Sequence, residues 1–193
     1  PALLAEQLPY LTDLAPFTYG ITSEGALLPL SDEEMIAAAR LHGTAPVLHL
    51  STLTENGQFS TERAETVLTD GAMQAALLTQ IADMVRVKGF AGVDVDFEYL
   101  GRALAASYAA FLRELREAVH AAGGYLMAAL APKTSDDQPG VLYEGHDYAA
   151  IGQTADKILL MTYEWGFTYG PPMAVAPLNA VERVVQYAVS RIE

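Results

Sequence analysis

The sequence predicts an α/β protein whose core is a parallel sheet covered by helices. Short apolar runs rich in β-branched and aromatic residues alternate with longer segments of helical period, which is the pattern of repeated βα units. Most runs are nearly continuous in apolar character, as strands buried on both faces should be. The chain has 193 residues, about half of them apolar, so it can bury one sizeable core, and we predict a single domain over residues 1–193.

Five strands are predicted from these runs, and the third is unusual because acidic residues interrupt it. The three longest irregular stretches, Thr52–Ser60, Pro132–Gly145 and Trp165–Ala176, each follow a strand. In barrels of alternating strands and helices, such loops carry the active site. The predicted strands are Ala15–Ile21, Ala45–Ser51, Gly92–Tyr99, Tyr125–Ala131 and Lys157–Tyr163.

Helices are predicted in the segments between the strands. Ser31 is expected to cap a helix that runs to Arg40, with Glu34 completing a capping box. The segment Thr61–Lys88 is expected to hold one or two helices broken near Asp70. The remaining predicted helices are Leu3–Asp13, Ala103–Ala121 and Leu178–Ile192. The apolar stripe of the second of these consists of Tyr108, Phe111, Leu112, Leu115 and Val119.

Composition and charge argue against several classes of partner. Eleven basic against 24 acidic residues give a formal net charge of -13, and this field repels nucleic-acid backbones and anionic membrane surfaces. No apolar run reaches the roughly 18 to 20 residues of a membrane helix. Because the sequence has no cysteine, disulfides and thiolate metal sites are excluded. We therefore expect neither nucleic acid nor membrane as a partner, and no cofactor.

The segment Gly92-Val93-Asp94-Val95-Asp96-Phe97-Glu98-Tyr99 carries the strongest chemical signal. Its three carboxylates stand at alternate positions, so on a strand all three face one way. Neighbouring carboxylates then start about 7 Å apart, close enough to perturb one another's protonation. Burying like charges has no structural benefit. We therefore interpret the segment as a site in which one acid stays neutral near pH 7 and acts as a general acid.

Three other interpretations of this segment compete. A calcium loop needs a glycine at its sixth position, where this sequence has Tyr99, and is disfavoured. A solvent-facing acidic strand conflicts with the apolar spacers and with a parallel sheet that buries both faces. A carboxylate metal site at the carboxyl ends of the strands stays open, with His49 and His146 as additional ligands.

Two motifs, in matching order and spacing, resemble those of glycoside hydrolase family 18. The acidic segment resembles the signature D-G-x-D-x-D-x-E, except that Ala91 replaces the first aspartate, and Met161-Thr162-Tyr163-Glu164 is similar to M-x-Y-[DE] on the sixth strand. Other segments are similar to the bacterial subgroup of spore-cortex-lytic and cell-wall N-acetylglucosaminidases. They are Ala131-Pro132-Lys133-Thr134, Tyr143-Glu144-Gly145-His146-Asp147-Tyr148 and Tyr163-Glu164-Trp165-Gly166 followed by Gly170-Pro171-Pro172-Met173-Ala174.

The resemblance implies a (β/α)8 barrel with a retaining, substrate-assisted glycosidase site. It makes Glu98 the proton donor to the glycosidic oxygen, Asp96 the carboxylate that orients the acetamido group of the substrate, and Asp94 the acid that shares a proton with Asp96. Tyr163 would hold the acetamido group. The nucleophile would be the N-acetyl oxygen of the substrate itself. The implied partner is a GlcNAc-containing polysaccharide (peptidoglycan, spore cortex or chitin), and the implied location is extracellular, in the cell wall or spore-associated.

Further residues are candidates for substrate binding. Tyr19, near the end of the first predicted strand, is expected either to line the sugar site or to lie in the core. Trp165 and Phe167 are expected to stack on sugar rings, and the alternative is a loop packed by its own aromatics. Glu164 stands where many family members have aspartate and is expected to hydrogen-bond the substrate. His146 is expected to order a loop rather than to catalyse.

Five predicted strands are fewer than the eight of a barrel, whose domains run to about 250 residues. We therefore predict a barrel truncated to about five central βα units, strands 2 to 6. By the resemblance, the eighth strand supplies a tryptophan beneath the cleaved sugar, whereas Trp165 is the sole tryptophan of this chain and lies elsewhere. An open sheet exposes two edges and part of its apolar interior. We expect copies to associate, or the stability to be low, and catalysis by this chain alone to be weak or absent.

The leading hypothesis is thus an enzyme, and two rivals remain. A lectin-like relative would keep the groove without turnover, but such relatives commonly lose the acid, whereas this sequence keeps Glu98 together with Asp96, Asp94 and Tyr163. A metal-dependent barrel hydrolase would hold a divalent ion beside the two aspartates.

Overall fold

Five parallel strands form the sheet of this protein. The computed structural model describes residues 2–166 and 170–192, and in it each strand pairs with the next one along the chain. The sheet curls into a half-barrel, which confirms the predicted fold class. The strands are β1 (Asp13–Leu14), β2 (Ala45–Ser51), β3 (Gly92–Asp96), β4 (Tyr125–Leu130) and β5 (Lys157–Leu160).

Helices connect successive strands, as parallel pairing requires. Short 3-10 turns at Leu8–Tyr10 and Arg102–Leu104 lie beside two of them. The helices are α1 (Ala2–Gln7), α2 (Glu33–Leu41), α3 (Thr61–Thr69), α4 (Gly71–Lys88), α5 (Ala105–Ala121), α6 (Val141–Glu144), α7 (Tyr148–Gly152) and α8 (Leu178–Val189).

The first predicted strand, Ala15–Ile21, is wrong. Regular pairing occurs earlier, where Asp13 and Leu14 face Ala45 and Pro46, and the chain meets β2 again only at an isolated bridge between Tyr19 and Leu50. Pro16 lies between these two contacts, and a proline has no N–H to contribute to a ladder. The prediction of a helix reaching Asp13 is wrong for the same segment, because α1 ends at Gln7.

The other predicted strands are in the right places, but β3, β4 and β5 end earlier than predicted. The predicted capping box of α2 is wrong, because Asp32 rather than Ser31 occupies the N-cap. The predicted break near Asp70 is confirmed. Its side chain accepts hydrogen bonds of 3.0 Å from the N–H groups of Ala72 and Met73, and this cap starts α4 directly after α3.

The core lies between the sheet and the helices. All five residues of the apolar stripe predicted for α5 are buried there. Tyr19 is buried in the same layer, where its hydroxyl donates to Asp32 at 2.7 Å and accepts from Lys88 at 3.0 Å. Lys88 also pairs with the fully buried Asp32 at 2.5 Å. This group joins the N-terminus of α2 to the C-terminus of α4.

The interior of the half-barrel is open on one side. At its N-terminal end, Lys157 of β5 reaches Asp13 of β1 at 2.8 Å and lies 3.9 Å from the centre of the Tyr125 ring. Further along β5, Leu159 faces the same side of the strand as Lys157, because side chains alternate along a strand. Leu159 is 39% exposed. The edge of β5 thus presents backbone groups and apolar surface to solvent. None of the helices in the described ranges combines the length and apolar character that a bilayer-spanning helix needs.

Candidate active site

The acidic segment lies at the carboxyl end of the central strand. Asp94 and Asp96 belong to β3 and are 3% and 7% exposed, while Glu98 is half-buried just beyond the strand. Asp94 stands opposite His49 on β2 and Met127 on β4. One oxygen of each aspartate, Oδ1, has no hydrogen-bond partner among the described residues. A buried ionised acid without partners is costly, and proteins keep such groups mainly where they have a chemical use.

Burial makes all three acids harder to ionise. Desolvation raises the pKa of Asp94 to about 6, and desolvation with the charge of Asp94 raises the pKa of Asp96 to about 6. For Glu98, desolvation and the charges of Asp96 and Glu164 raise the pKa to about 7. Glu98 therefore holds its proton to a much higher pH than an ordinary glutamate, which suits a general acid.

His49 belongs to this cluster, although the sequence suggested it only as a metal ligand. Its Nε2 lies 3.8 Å from Asp94 Oδ2 and 3.7 Å from Asp96 Oδ2. Thr18 Oγ1 lies 2.7 Å from Nδ1, and when the Thr18 hydroxyl donates in this hydrogen bond the ring proton stands on Nε2, facing the acids. Burial lowers the pKa of His49 to about 4, which keeps the ring neutral. The sequence pattern that could have predicted this position is the alternation along β2, which places His49 and Ser51 on the inward face.

Tyr163, Glu164 and Trp165 follow β5 and line the same groove as Asp96 and Glu98. Desolvation and the charges of Asp96, Glu164 and Glu98 raise the pKa of Tyr163, so its hydroxyl stays a donor. Glu164 adopts a positive φ of 64°, a conformation that costs energy in a non-glycine residue. The predicted partner of Trp165 in sugar stacking, Phe167, lies outside the described residues.

The groove above the acids has a volume of about 1000 Å³, which is large enough for several sugar rings. Aromatic side chains that the sequence analysis did not assign stand along it. They are Phe17, Phe59, Tyr99 and Tyr143. Phe17 is 62% exposed and Tyr99 is 42% exposed, so both present ring surface to a ligand.

Tyr19 does not belong to this site. The prediction that it lines the sugar site is wrong, and the alternative of a core tyrosine is correct, because its side chain is 1% exposed and its hydroxyl is bound by Asp32. Burial and that hydrogen bond raise its pKa to about 12.

The metal hypothesis gains no support from the geometry. No cluster of three or more His, Asp or Glu side chains within residues 2–166 and 170–192 is arranged to hold an ion. His146 cannot serve as a ligand as it stands, because both of its ring nitrogens are hydrogen-bonded to the backbone.

Known proteins are similar to this chain in sequence and in fold. Residues 54–191 match the model of glycosyl hydrolases family 18. The chain is 39% identical to the cortical fragment-lytic enzyme of Bacillus subtilis (strain 168), over 97% of this chain and 43% of that protein. It superposes on the crystal structure of the Bacillus cereus spore cortex-lytic enzyme SleL with a TM-score of 0.93 and 34% identity, over 99% of this chain and 44% of that one.

A chitinase from Chromobacterium violaceum ATCC 12472 is a more distant relative, with a TM-score of 0.92 and 25% identity, over 99% of this chain and 61% of that one. The curled parallel sheet of this chain is therefore the fold of these barrel structures. The chain belongs to glycosyl hydrolases family 18. It spans less than half the length of the curated relatives that it matches.

Proposed function

We propose that this chain forms the catalytic centre of a glycosidase that cleaves polymers containing N-acetylglucosamine. The observation that carries the proposal is Glu98, a half-buried acid with a pKa of about 7 on the floor of the groove, next to the buried Asp94 and Asp96. We use the term complete barrel for a form of this chain that is extended to all eight barrel strands.

The mechanism assigned to the site is substrate-assisted and retains the anomeric configuration. Glu98 gives its proton to the glycosidic oxygen, and the N-acetyl oxygen of the substrate attacks the anomeric carbon to close an oxazolinium ring. Asp96, with Asp94 behind it, orients the acetamido group and balances the charge that develops on it. Tyr163 donates a hydrogen bond to the same group. Water then opens the ring, and Glu98 accepts its proton.

The substrate class follows from this chemistry, since the cleaved sugar must carry a 2-acetamido group. Two relatives are named for lysis of spore cortex or its fragments, and another is a chitinase. We favour peptidoglycan of the cortex or wall as the substrate, because the identity to the cortex-lytic relatives is higher. A cell-wall or spore-associated location follows from that substrate.

A mechanism-based inhibitor and a sugar comparison test this proposal. A thiazoline analogue of the oxazolinium ring should inhibit the complete barrel, and GlcNAc oligomers should be cleaved while glucose oligomers of the same length are not. Release of reducing ends measures both. Cleavage of the glucose oligomers at a comparable rate would contradict the assisted mechanism, because those sugars lack the attacking group.

The 193-residue chain by itself is expected to associate with copies of itself and to show little or no turnover. The edge of β5 and the exposed Leu159 are costly in water, and an incomplete wall leaves the groove open to solvent. Sedimentation should show oligomers at micromolar concentration, and GlcNAc oligomers should remain largely uncleaved. A monomer with full activity would show that the reasoning from the open sheet is wrong.

A further inference from the structure

His146 lies buried between the carboxyl ends of β3 and β4, and both of its ring nitrogens are hydrogen-bonded to the backbone. The N–H of Ala131 donates to Nδ1 at 2.9 Å, which makes Nδ1 the acceptor and leaves the proton on Nε2. Nε2 then donates to the carbonyl oxygen of Phe97 at 2.9 Å. Desolvation lowers the pKa of His146 to about 4, so this neutral tautomer persists at neutral pH. A single ring therefore ties the residue before Glu98 to the end of β4.

This tie matters because Glu98 lies beyond Asp96, the last residue of β3. The ring of Phe97 stacks on Tyr108 and on Phe111 of α5, with centroid distances of 5.7 and 5.5 Å. With its carbonyl held by His146 as well, Phe97 is restrained on the side chain and on the backbone. Glu98 is thus placed by its neighbour rather than by the pairing of β3.

The segment that carries His146 is itself held against this part of the chain. Lys133 Nζ donates to the carbonyl of His146 at 2.9 Å, and the Tyr148 hydroxyl donates to the carbonyl of Ala131 at 2.5 Å. At Gly145 the two segments touch, since an added Cβ would lie 2.4 Å from Cβ of Leu100. The Y-E-G-H-D-Y motif therefore contains a glycine that permits the approach and a histidine that makes the link.

We propose that His146 is a positioning residue for the catalytic acid: by bridging the Ala131 N–H and the Phe97 carbonyl, it holds Glu98 where it can protonate the glycosidic oxygen. This inference rests on the proposed function of Glu98. Misplacement of a catalytic group by about 1 Å can lower the rate on the order of 100-fold, so a backbone tether next to the acid acts on kcat.

The test compares His146→Leu with His146→Gln in the complete barrel. Leucine fills the space but makes neither hydrogen bond, whereas glutamine offers one acceptor and one donor. We expect His146→Leu to lower kcat about 10- to 100-fold with KM little changed, and His146→Gln to recover most of the loss. His42→Leu, at the exposed C-terminus of α2, is the matched control and should leave kcat unchanged.

A second variant keeps the imidazole and moves it. Gly145→Ala should push the segment away from Leu100 and lower kcat in the same way, and it decides the question if His146→Leu fails to fold. A folded His146→Leu protein with normal kcat, or a glutamine variant no better than leucine, would overturn the inference.

Carbon-13 NMR of the Glu98 carboxyl gives a readout that does not depend on turnover. In His146→Leu, a loosened Glu98 gains solvent, so its pKa should fall towards the ordinary value of 4.5. An inactive wild-type complete barrel would refute the proposed function, whereas an unchanged Glu98 pKa in the variant would refute the positioning role.

Discussion

In the complete barrel, Glu98→Gln is expected to lower kcat on GlcNAc oligomers by roughly 100- to 10,000-fold, while binding of the oligomers is retained. Glutamine keeps the shape of the side chain but has no proton to give to the leaving oxygen. Turnover is measured by release of reducing ends, and binding by calorimetry. The wild-type rate should also fall as the pH rises through about 7, because the protonated fraction of Glu98 is lost there.

Glu114→Gln is the matched control for this substitution. Glu114 is exposed on α5, so the same change of charge and shape occurs away from the groove and should leave kcat unchanged. Near-normal turnover in Glu98→Gln would show that Glu98 is not the catalytic acid. Loss of oligomer binding in that variant would point instead to a binding role for Glu98.

Asp94→Asn is expected to make the complete barrel more stable while it lowers activity. Folding raises the pKa of Asp94 from 3.8 to about 6, so ionisation of Asp94 lowers the free energy of unfolding. The whole of this destabilisation is present above about pH 6, and it is absent below about pH 4. A shift of about two pKa units corresponds to a gain of up to about 3 kcal/mol at pH 8. The gain should shrink as the pH falls from 6 towards 4.

Urea denaturation at pH 8 and at pH 5 measures this effect on the free energy of unfolding. Asp83→Asn is the control, because the Asp83 side chain is 63% exposed and its ion pair with Arg86 lies at the surface. A destabilised Asp94→Asn protein at pH 8 would mean that ionised Asp94 has a stabilising partner in the fold. An equal gain at both pH values would exclude ionisation as the cause.

The acidic site was largely predictable because its pattern is local. Alternation along β3 is enough to place Asp94 and Asp96 on the same face, and apolar spacers are enough to bury that strand, while Glu98 continues the pattern just beyond its end. Tyr163, Glu164 and Trp165 line the predicted groove because parallel strands bring their carboxyl ends together at one edge. The assignment of chemical roles to these residues remains a prediction that the substitutions above test.

Two features depended on contacts between distant parts of the chain. Pro16 interrupts the first predicted strand, so the regular pairing with β2 moved to Asp13 and Leu14. Asp32 rather than Ser31 is the N-cap residue of α2, and its carboxylate binds Tyr19 and Lys88 from two other segments. No local pattern contains these partners.

The sequence by itself determined the class of fold, the inward face of the acidic strand and the family, because hydrophobic period and a motif on one strand are local properties. Only the tertiary structure decided where Tyr19, His49 and His146 lie and what they contact. Tyr19 was placed in the core, His49 beside the aspartates and His146 beneath Phe97. The physical reason is that burial and hydrogen bonding of a side chain depend on residues brought to it from elsewhere in the chain. His146 and Phe97 are 49 positions apart, and Tyr19 and Lys88 are 69 positions apart.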